Sequence, residues 1–218
     1  MLPEWKKSLE ASLQGITAHR EYARLSWAVS KTLMAGSEDK VYISEVMTTV
    51  PEDERGTLET KVYEELTRLN IPFERVDNDS VESMDECVEI SRKLGAEIRK
   101  TIVACNRQKT QFYLVVLPAN KRFDSKQFAA MMRTPRVSFA SAEDMEALIG
   151  LAPGEASVMG VLNDPEGKIQ VVIDKAVADA EWFACNPGAN TAHIRFKTKQ
   201  LLNNFLPAEN HKAEIIML

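Results

Sequence analysis

Residues 98–124 read IRKTIVACNRQKTQFYLVVLPANKRFD, two apolar runs joined by a short polar turn and followed by a basic loop. Side chains alternate across a strand, so Lys100 shares a face with Ile98, Ile102 and Ala104, while Arg99, Thr101, Val103 and Cys105 take the other. An ammonium among apolar neighbours must find a partner, a wet pocket or a shifted pKa, or else snorkel to the sheet edge. Lys100 is therefore the first residue to watch. The second run, Phe112 to Leu117, is apolar without alternation, which predicts a strand covered on both faces.

Upstream, Leu58, Val62, Leu66 and Leu69 repeat at helical spacing from about Gly56, and Asn70 and Pro72 end that helix. Ile71 to Val76 reads as a strand, and Asp77-Asn78-Asp79-Ser80 is turn chemistry. Ser83 and Glu86 form a capping box that opens a helix through Leu94, with Gly95 as its stop. Downstream come a short helix over Ser125 to Met132, a brief strand over Val137 to Phe139, and a helix over Ala142 to Ile149 capped by Ser141. The stretch 150–160 is rich in glycine and too long for a hairpin turn, a kind of loop that often lines sites. Ile169 to Asp174 is a strong strand; Trp182 to Cys185 and Asn190 to Phe196 flank a tight turn, and a last helix covers Lys199 to Leu206. Strands and helices mix without βαβ alternation. The expected fold is α+β, with a mixed, largely antiparallel sheet and flanking helices.

The first 57 residues read as a helical extension. Leu25, Ala28, Val29, Thr32 and Leu33, with Tyr22, recur at helical spacing and form an apolar stripe, Gly36 sits where that helix should stop, and Trp27 lies off the stripe. Val41, Ile43 and Val46 suggest a short strand within 40–49. The organisation is then an extension over 1–57, a domain over 58–207 and a polar tail over 208–218.

A chain of 218 residues suits one ordinary domain plus such an appendage. Hydrophobic residues at 44% and charged residues at 27% describe a soluble globular protein, with no apolar run of membrane length. The N-terminal MLPEWKKSLEASL lacks an apolar signal core, so a cytoplasmic location is expected. Cys87, Cys105 and Cys185 are odd in number and far apart, as reduced thiols would be, and His19, His193 and His211 do not fall at zinc spacings with them. No metal and no cofactor are expected. The net charge is −5, yet residues 92–136 hold eleven Lys and Arg against Glu97 and Asp124. That segment is either a basic face for phosphates or a set of solvated turns and helix faces.

Taken together, VYEELTRLNIPFERV at 62–76, RKTIVAC at 99–105, YLVVLPANKRFD at 113–124, VSFASAEDMEALIGLAPGEASVMGVLND at 137–164 and NPGANTAHI at 186–194 follow a known order. They resemble the YbaK-like, prolyl-tRNA-synthetase-associated editing family, and within it the free-standing trans-editing proteins. The resemblance runs from about Lys61 to Leu206 and rests on the linked set of motifs. It implies hydrolysis of the ester between a wrong amino acid and its tRNA, most typically alanine on the proline tRNA. The implied partners are tRNA and a synthetase. A homodimer through the N-terminal helices is the further assembly considered.

On that resemblance Lys100 is the site lysine, and Gly154 to Gly160, with Ser157, Val158 and Met159, form the loop that closes on the aminoacyl end. Asn163 and Asp164 match the acidic turn, Asp164 as a catalytic candidate. Asn186, Asn190 and Thr191 belong to the segment that usually reads HPxxNTAT. Lys121 and Arg122 match a basic pair, joined as tRNA contacts by Arg99 and Lys126. Three residues depart from the pattern: Thr101 in place of asparagine, Val158 in place of proline and Asn186 in place of histidine.

An aminoacyl ester is already activated, so an enzyme mainly places a water, stabilises the oxyanion and shapes a pocket. Lys100 can hold the terminal ribose or phosphate, or donate to the oxyanion. Asn186 cannot take a proton, and His193, as a lone strand histidine, reads as structural, so no general base is identified. The alternative reading is a tRNA- or amino-acid-binding module that has lost hydrolysis.

Overall fold

A computed structural model describes residues 41–81 and 83–218. Its strands are β1 (Glu74–Asp77), β2 (Lys100–Asn106), β3 (Phe112–Leu117), β4 (Val137–Phe139), β5 (Ile169–Asp174), β6 (Trp182–Cys185), β7 (Ala192–Lys197) and β8 (Glu214–Ile216). They form a five-stranded sheet in the order β4-β2-β3-β5-β8 and a three-stranded sheet in the order β1-β7-β6. The expected hairpin is the centre of the larger sheet: β2 runs antiparallel to β3, with Lys100 opposite Leu117. β5 joins β3 in parallel and β8 joins β5 in parallel, while β4 and all pairs of the smaller sheet are antiparallel. The fold is thus α+β with mixed pairing, as expected.

The unalternating β3 is explained by what lies on either side of it. Leu114 and Val116 enter the larger core with Leu66, Phe196 and Phe205; Tyr113, Val115 and Leu117 enter a second core with Phe128, Val137 and Ile216. Both faces of this strand are covered, so every position is apolar.

The four longest helices among the described residues are α1 (Thr57–Arg68), α2 (Cys87–Leu94), α3 (Ser125–Met131) and α4 (Ala142–Ile149), and shorter helical segments cover Lys175–Ala178 and run on from Thr198 to Ala208. α1 buries Leu58, Val62 and Leu66, the stripe read from its sequence. Ser83 and Glu86 make their reciprocal bonds (3.1 and 3.3 Å), but as a turn ahead of α2, which begins at Cys87 and ends at Gly95 with φ 63°. Asp124 caps α3, and Ser141 with Asp144 forms a full capping box on α4.

Several expectations give way to tertiary contacts. The strand expected within 40–49 is two isolated bridges, Ile43 to Asn78 and Met47 to Arg75, so this segment follows the β1 edge without a continuous ladder. The loop expected over 150–160 turns into a 3-10 helix at Val158–Asn163. Within the expected polar tail, Glu214–Ile216 forms β8 and Ile216 is buried. The stripe at Tyr22 to Leu33, Gly36 and Trp27 lie outside the described residues.

The two sheets meet where β2 begins. Ile98 bridges Ala184 of β6, and the Arg99 amide donates to the Ala184 carbonyl at 2.8 Å.

Candidate active site

That seam opens as a cavity of about 290 Å³. The start of β2 contributes Ile98 to Ile102, and the turn into α2 adds Val81, Ser83, Met84 and Cys87. Gly154 and Ala156 come from the loop after α4, Asn186 and Asn190 from the β6–β7 turn, and His193 from β7. Sequence reading put Lys100, Thr101, Gly154, Asn186 and Asn190 at one site, and all five border this cavity.

Lys100 is half-buried and its Nζ donates to the Lys121 carbonyl at 2.6 Å. One of three ammonium donors is thereby used, and two remain for a ligand. The Thr101 hydroxyl is buried and has no partner among the described residues. A buried polar atom without a partner is costly, and here it borders an open cavity. Asn186 helps to hold the site: its Nδ2 donates to the Glu155 carbonyl (3.2 Å) and its Oδ1 accepts the Gly188 amide (3.0 Å). Ser157 adds a 2.6 Å bond from its hydroxyl to the Asn186 carbonyl. The bonds to Glu155 and from Ser157 fasten the 154–157 loop to the 186–189 turn, and the Gly188 bond closes that turn on itself.

His193 is only 2% exposed. Its Nδ1 lies 2.9 Å from Asn78 Oδ1 and its Nε2 lies 4.0 Å from Cys87 Sγ. Burial holds the ring pKa down to about 4 and pushes the Cys87 thiol up to about 11, with Glu86 adding to the latter. The resting pair is neutral imidazole and thiol.

The remaining residues expected at the site stand elsewhere. Val158 and Met159 are buried in the larger core. Gly160 packs against α4 so closely that an added Cβ would lie 2.7 Å from the Ile149 Cβ. Asn163 accepts from Lys61 (3.1 Å) and donates to the Ile149 carbonyl (3.0 Å). Asp164 is buried, with Oδ2 accepting the Ile169 amide (2.7 Å) and facing His211 Nε2 at 3.2 Å. None of these five borders the cavity. The 3-10 turn carries Val158 and Met159 into the core and leaves Asn163 at its end and Asp164 just past it, both bonded away from the cavity. Thr191 borders a separate depression beside Arg55 and Asp77.

Of the basic residues, Arg99 borders the cavity but is held by Glu97 and the Trp182 carbonyl, and burial lowers its pKa. Lys121 is paired to the buried Asp174 at 2.9 Å. Arg92, Lys93 and Lys109 are likewise paired, to Glu89, Glu45 and Asp144. Arg122 and Lys126 are exposed and make no ion pair among the described residues. The basic segment is therefore partly neutralised.

Sequence reading missed Cys87 and Asn78 and set His193 aside as structural. The capping box does place Cys87 at a helix start, but nothing local joins it to a histidine on β7.

With this geometry in hand, relatives can be compared. Prolyl-tRNA editing protein ProX of Acetoanaerobium sticklandii is 28% identical over 133 residues, which cover 61% of this chain and 81% of ProX. The crystal structure of a hypothetical protein superposes with a TM-score of 0.55 at 20% identity, over 70% of this chain and 96% of that one. A candidate trans-editing enzyme for prolyl tRNA synthetase superposes at 0.54 and 16% identity, over 76% and 99%. At these identities the structural likeness is one of fold. Residues 79–203, more than half of the chain, match the aminoacyl-tRNA editing domain, and the chain belongs to that family of YbaK-like editing proteins.

Proposed function

We propose that this protein is an aminoacyl-tRNA deacylase acting in trans, hydrolysing the ester of a small amino acid on the wrong tRNA, with alanine on the proline tRNA as its substrate. The observation that carries this reading is Lys100 at the mouth of a small cavity, two of its donors unused, beside the unpartnered Thr101 hydroxyl. Lys100 holds the ester carbonyl or the terminal ribose, and Thr101 receives the amino group or a ribose hydroxyl. As charge develops on the carbonyl oxygen, a fixed ammonium stabilises it more than it stabilises the ground state.

A cavity of about 290 Å³ excludes by size. One methylene is worth only about 1–3 kcal/mol in binding, which is why a second, smaller site is used to remove small amino acids that a synthetase confuses. The loop fastened by Asn186 and Ser157 sets that limit. Arg122 and Lys126 meet acceptor-stem phosphates, positioning tRNA with little sequence readout.

A second reading, tRNA binding without turnover, is favoured by one observation: Asn186, where related proteins have histidine, is tied to backbone groups through both its amide nitrogen and its amide oxygen. The deciding experiment is deacylation of alanyl-tRNA for proline by the protein and by Lys100→Ala, with seryl-, threonyl-, cysteinyl- and cognate prolyl-tRNAs alongside. Cleavage of alanyl-tRNA that the variant loses, with prolyl-tRNA spared, is expected. tRNA binding with no ester cleaved would establish the second reading.

A further inference from the structure

We propose that the sheet face running from Lys100 to Phe139 is the track along which the unpaired 3′ end of the tRNA leaves the cavity, with Phe139 stacking on one of its bases and Arg107 and Arg136 at its phosphates. The inference rests on the deacylase reading above for the position of the ester, and extends the tRNA contacts past Arg122 and Lys126.

Strand register places Phe139. β4 runs antiparallel to β2 with Phe139 opposite Ala104, and directly opposed residues point to one side of a sheet. Ala104 and Lys100 stand an even number of residues apart on β2, so Phe139 lies on the face of Lys100. At about 3.3 Å per residue and 4.8 Å between strands, the two positions are roughly 14 Å apart. Val137, two residues earlier on β4, faces the same way and is buried in one core with Phe128 of α3. Phe139 has no such cover: it is 65% exposed, and its ring contact among the described residues is Phe123, at 5.9 Å between centroids.

The residues between the two ends are continuous. The Lys121 carbonyl holds Lys100 Nζ, Arg122 beside it is exposed, and Phe123 carries the contact on to Phe139. Past Phe123 a groove of about 800 Å³ opens, bordered by Arg107, Arg136, Ser138 and Phe139. Lys109 also borders it but is spent on Asp144 at 2.7 Å. Arg107 and Arg136 are exposed and make no ion pair among the described residues.

A lone exposed aromatic is ordinary on a protein surface. Phe139 instead shares a groove with two unpaired guanidiniums, on the face that carries the site lysine. That pairing suits single-stranded nucleic acid: a ring for the face of a base, and cations for the backbone. The chain as a whole carries −5, so attraction for phosphate has to be local, as it is here. The ester sits on the last nucleotide, so a strand whose end lies at Lys100 has to emerge over some part of the rim, and this face offers it both stacking and charge. β4 is also a sheet edge, which a strand of protein could extend. The cations favour RNA, and the test separates the two.

The test measures binding of the uncharged tRNA for proline by the whole chain, beside the same tRNA lacking its unpaired 3′ end. Phe139→Ala is expected to bind intact tRNA about 10-fold more weakly and Phe139→Trp to bind it as the parent does, with neither differing from the parent on the shortened tRNA. Arg107→Ala with Arg136→Ala should weaken binding several-fold and shallow its salt dependence by about one to two phosphate contacts. An unchanged melting temperature of Phe139→Ala, whose ring is mostly in solvent, excludes misfolding as the cause. A benzophenone-bearing phenylalanine at position 139 is expected to cross-link, on irradiation, to the 3′ end of the tRNA. Equal binding of intact tRNA by Phe139→Ala and the parent would overturn the track, as would a cross-link to a second copy of the chain in place of RNA. None of these readouts needs turnover. If the parent cleaves no ester, the deacylase reading fails alone, and the binding series still decides the track.

Discussion

Two histidines in this molecule are almost equally buried, His193 at 2% and His211 at 5% exposure, yet their surroundings give them different work. His211 has an acceptor oxygen at each nitrogen: the Glu209 carbonyl at 2.6 Å from Nδ1 and Asp164 Oδ2 at 3.2 Å from Nε2. Asp164 also accepts the first amide of β5, so the pair clamps the segment after the last helix to the start of a central strand. His193 has an acceptor on one side only and turns its other nitrogen to a thiol at the rim of a cavity. Burial alone therefore says little about role. What the second nitrogen meets decides it.

Breaking the two regions separately is the sharpest test of that contrast. The largest effect is expected from Lys100→Ala, which acts only on the cavity: deacylation falls about 100- to 1000-fold with the unfolding midpoint nearly unmoved, as for removal of a preorganised donor. A loss of folding in this variant would show that the lysine–carbonyl bond at 2.6 Å serves stability instead. Asp164→Ala acts only on the clamp. It strips a buried amide and His211 of their acceptor, and a loss of about 3 kcal/mol in stability is expected from denaturant melts, with deacylation per folded molecule unchanged. A selective loss of turnover would return Asp164 to the chemistry.

A third test uses acid. The folded chain resists protonating His193 down to about pH 4, whereas an unfolded histidine takes its proton near 6.5. Between those values the unfolded state binds more protons, so this residue weakens folding as pH falls, up to about 3 kcal/mol at the low end, and contributes no penalty above. His193→Gln is expected to flatten that part of the stability curve; an unchanged curve would place the acid sensitivity elsewhere. The smallest effect is expected at the surface. Arg122→Ala with Lys126→Ala should weaken tRNA binding several-fold and shallow its salt dependence by about one to two phosphate contacts, with neither histidine region disturbed.

Legibility followed the range of the interaction. Thr57–Arg68 and Ala142–Ile149 were readable because stripe, cap and stop lie within a few residues of one another. β3 was readable because burial on both faces leaves an uninterrupted apolar run. β8 was not, since a three-residue strand at an edge depends on β5 for its definition. Within the site, Lys100 stood out as a charge in a strand, whereas no local signal told that one turn of backbone carries Val158 and Met159 into the core.

What the sequence by itself determined is the order of elements, the α+β class, the motif set of the editing family and a lysine at the start of a central strand. Those follow from local periodicity, capping and turn chemistry, all settled between near neighbours. Only the tertiary structure decided that Asp164 belongs to His211, that Lys121 is spent on Asp174, and that Cys87 and His193, the latter bonded to Asn78, border the same cavity as Lys100. These are contacts between residues distant along the chain. The chemistry of a buried polar group is set by the few atoms within hydrogen-bond reach of it, and chain order does not specify which atoms those are.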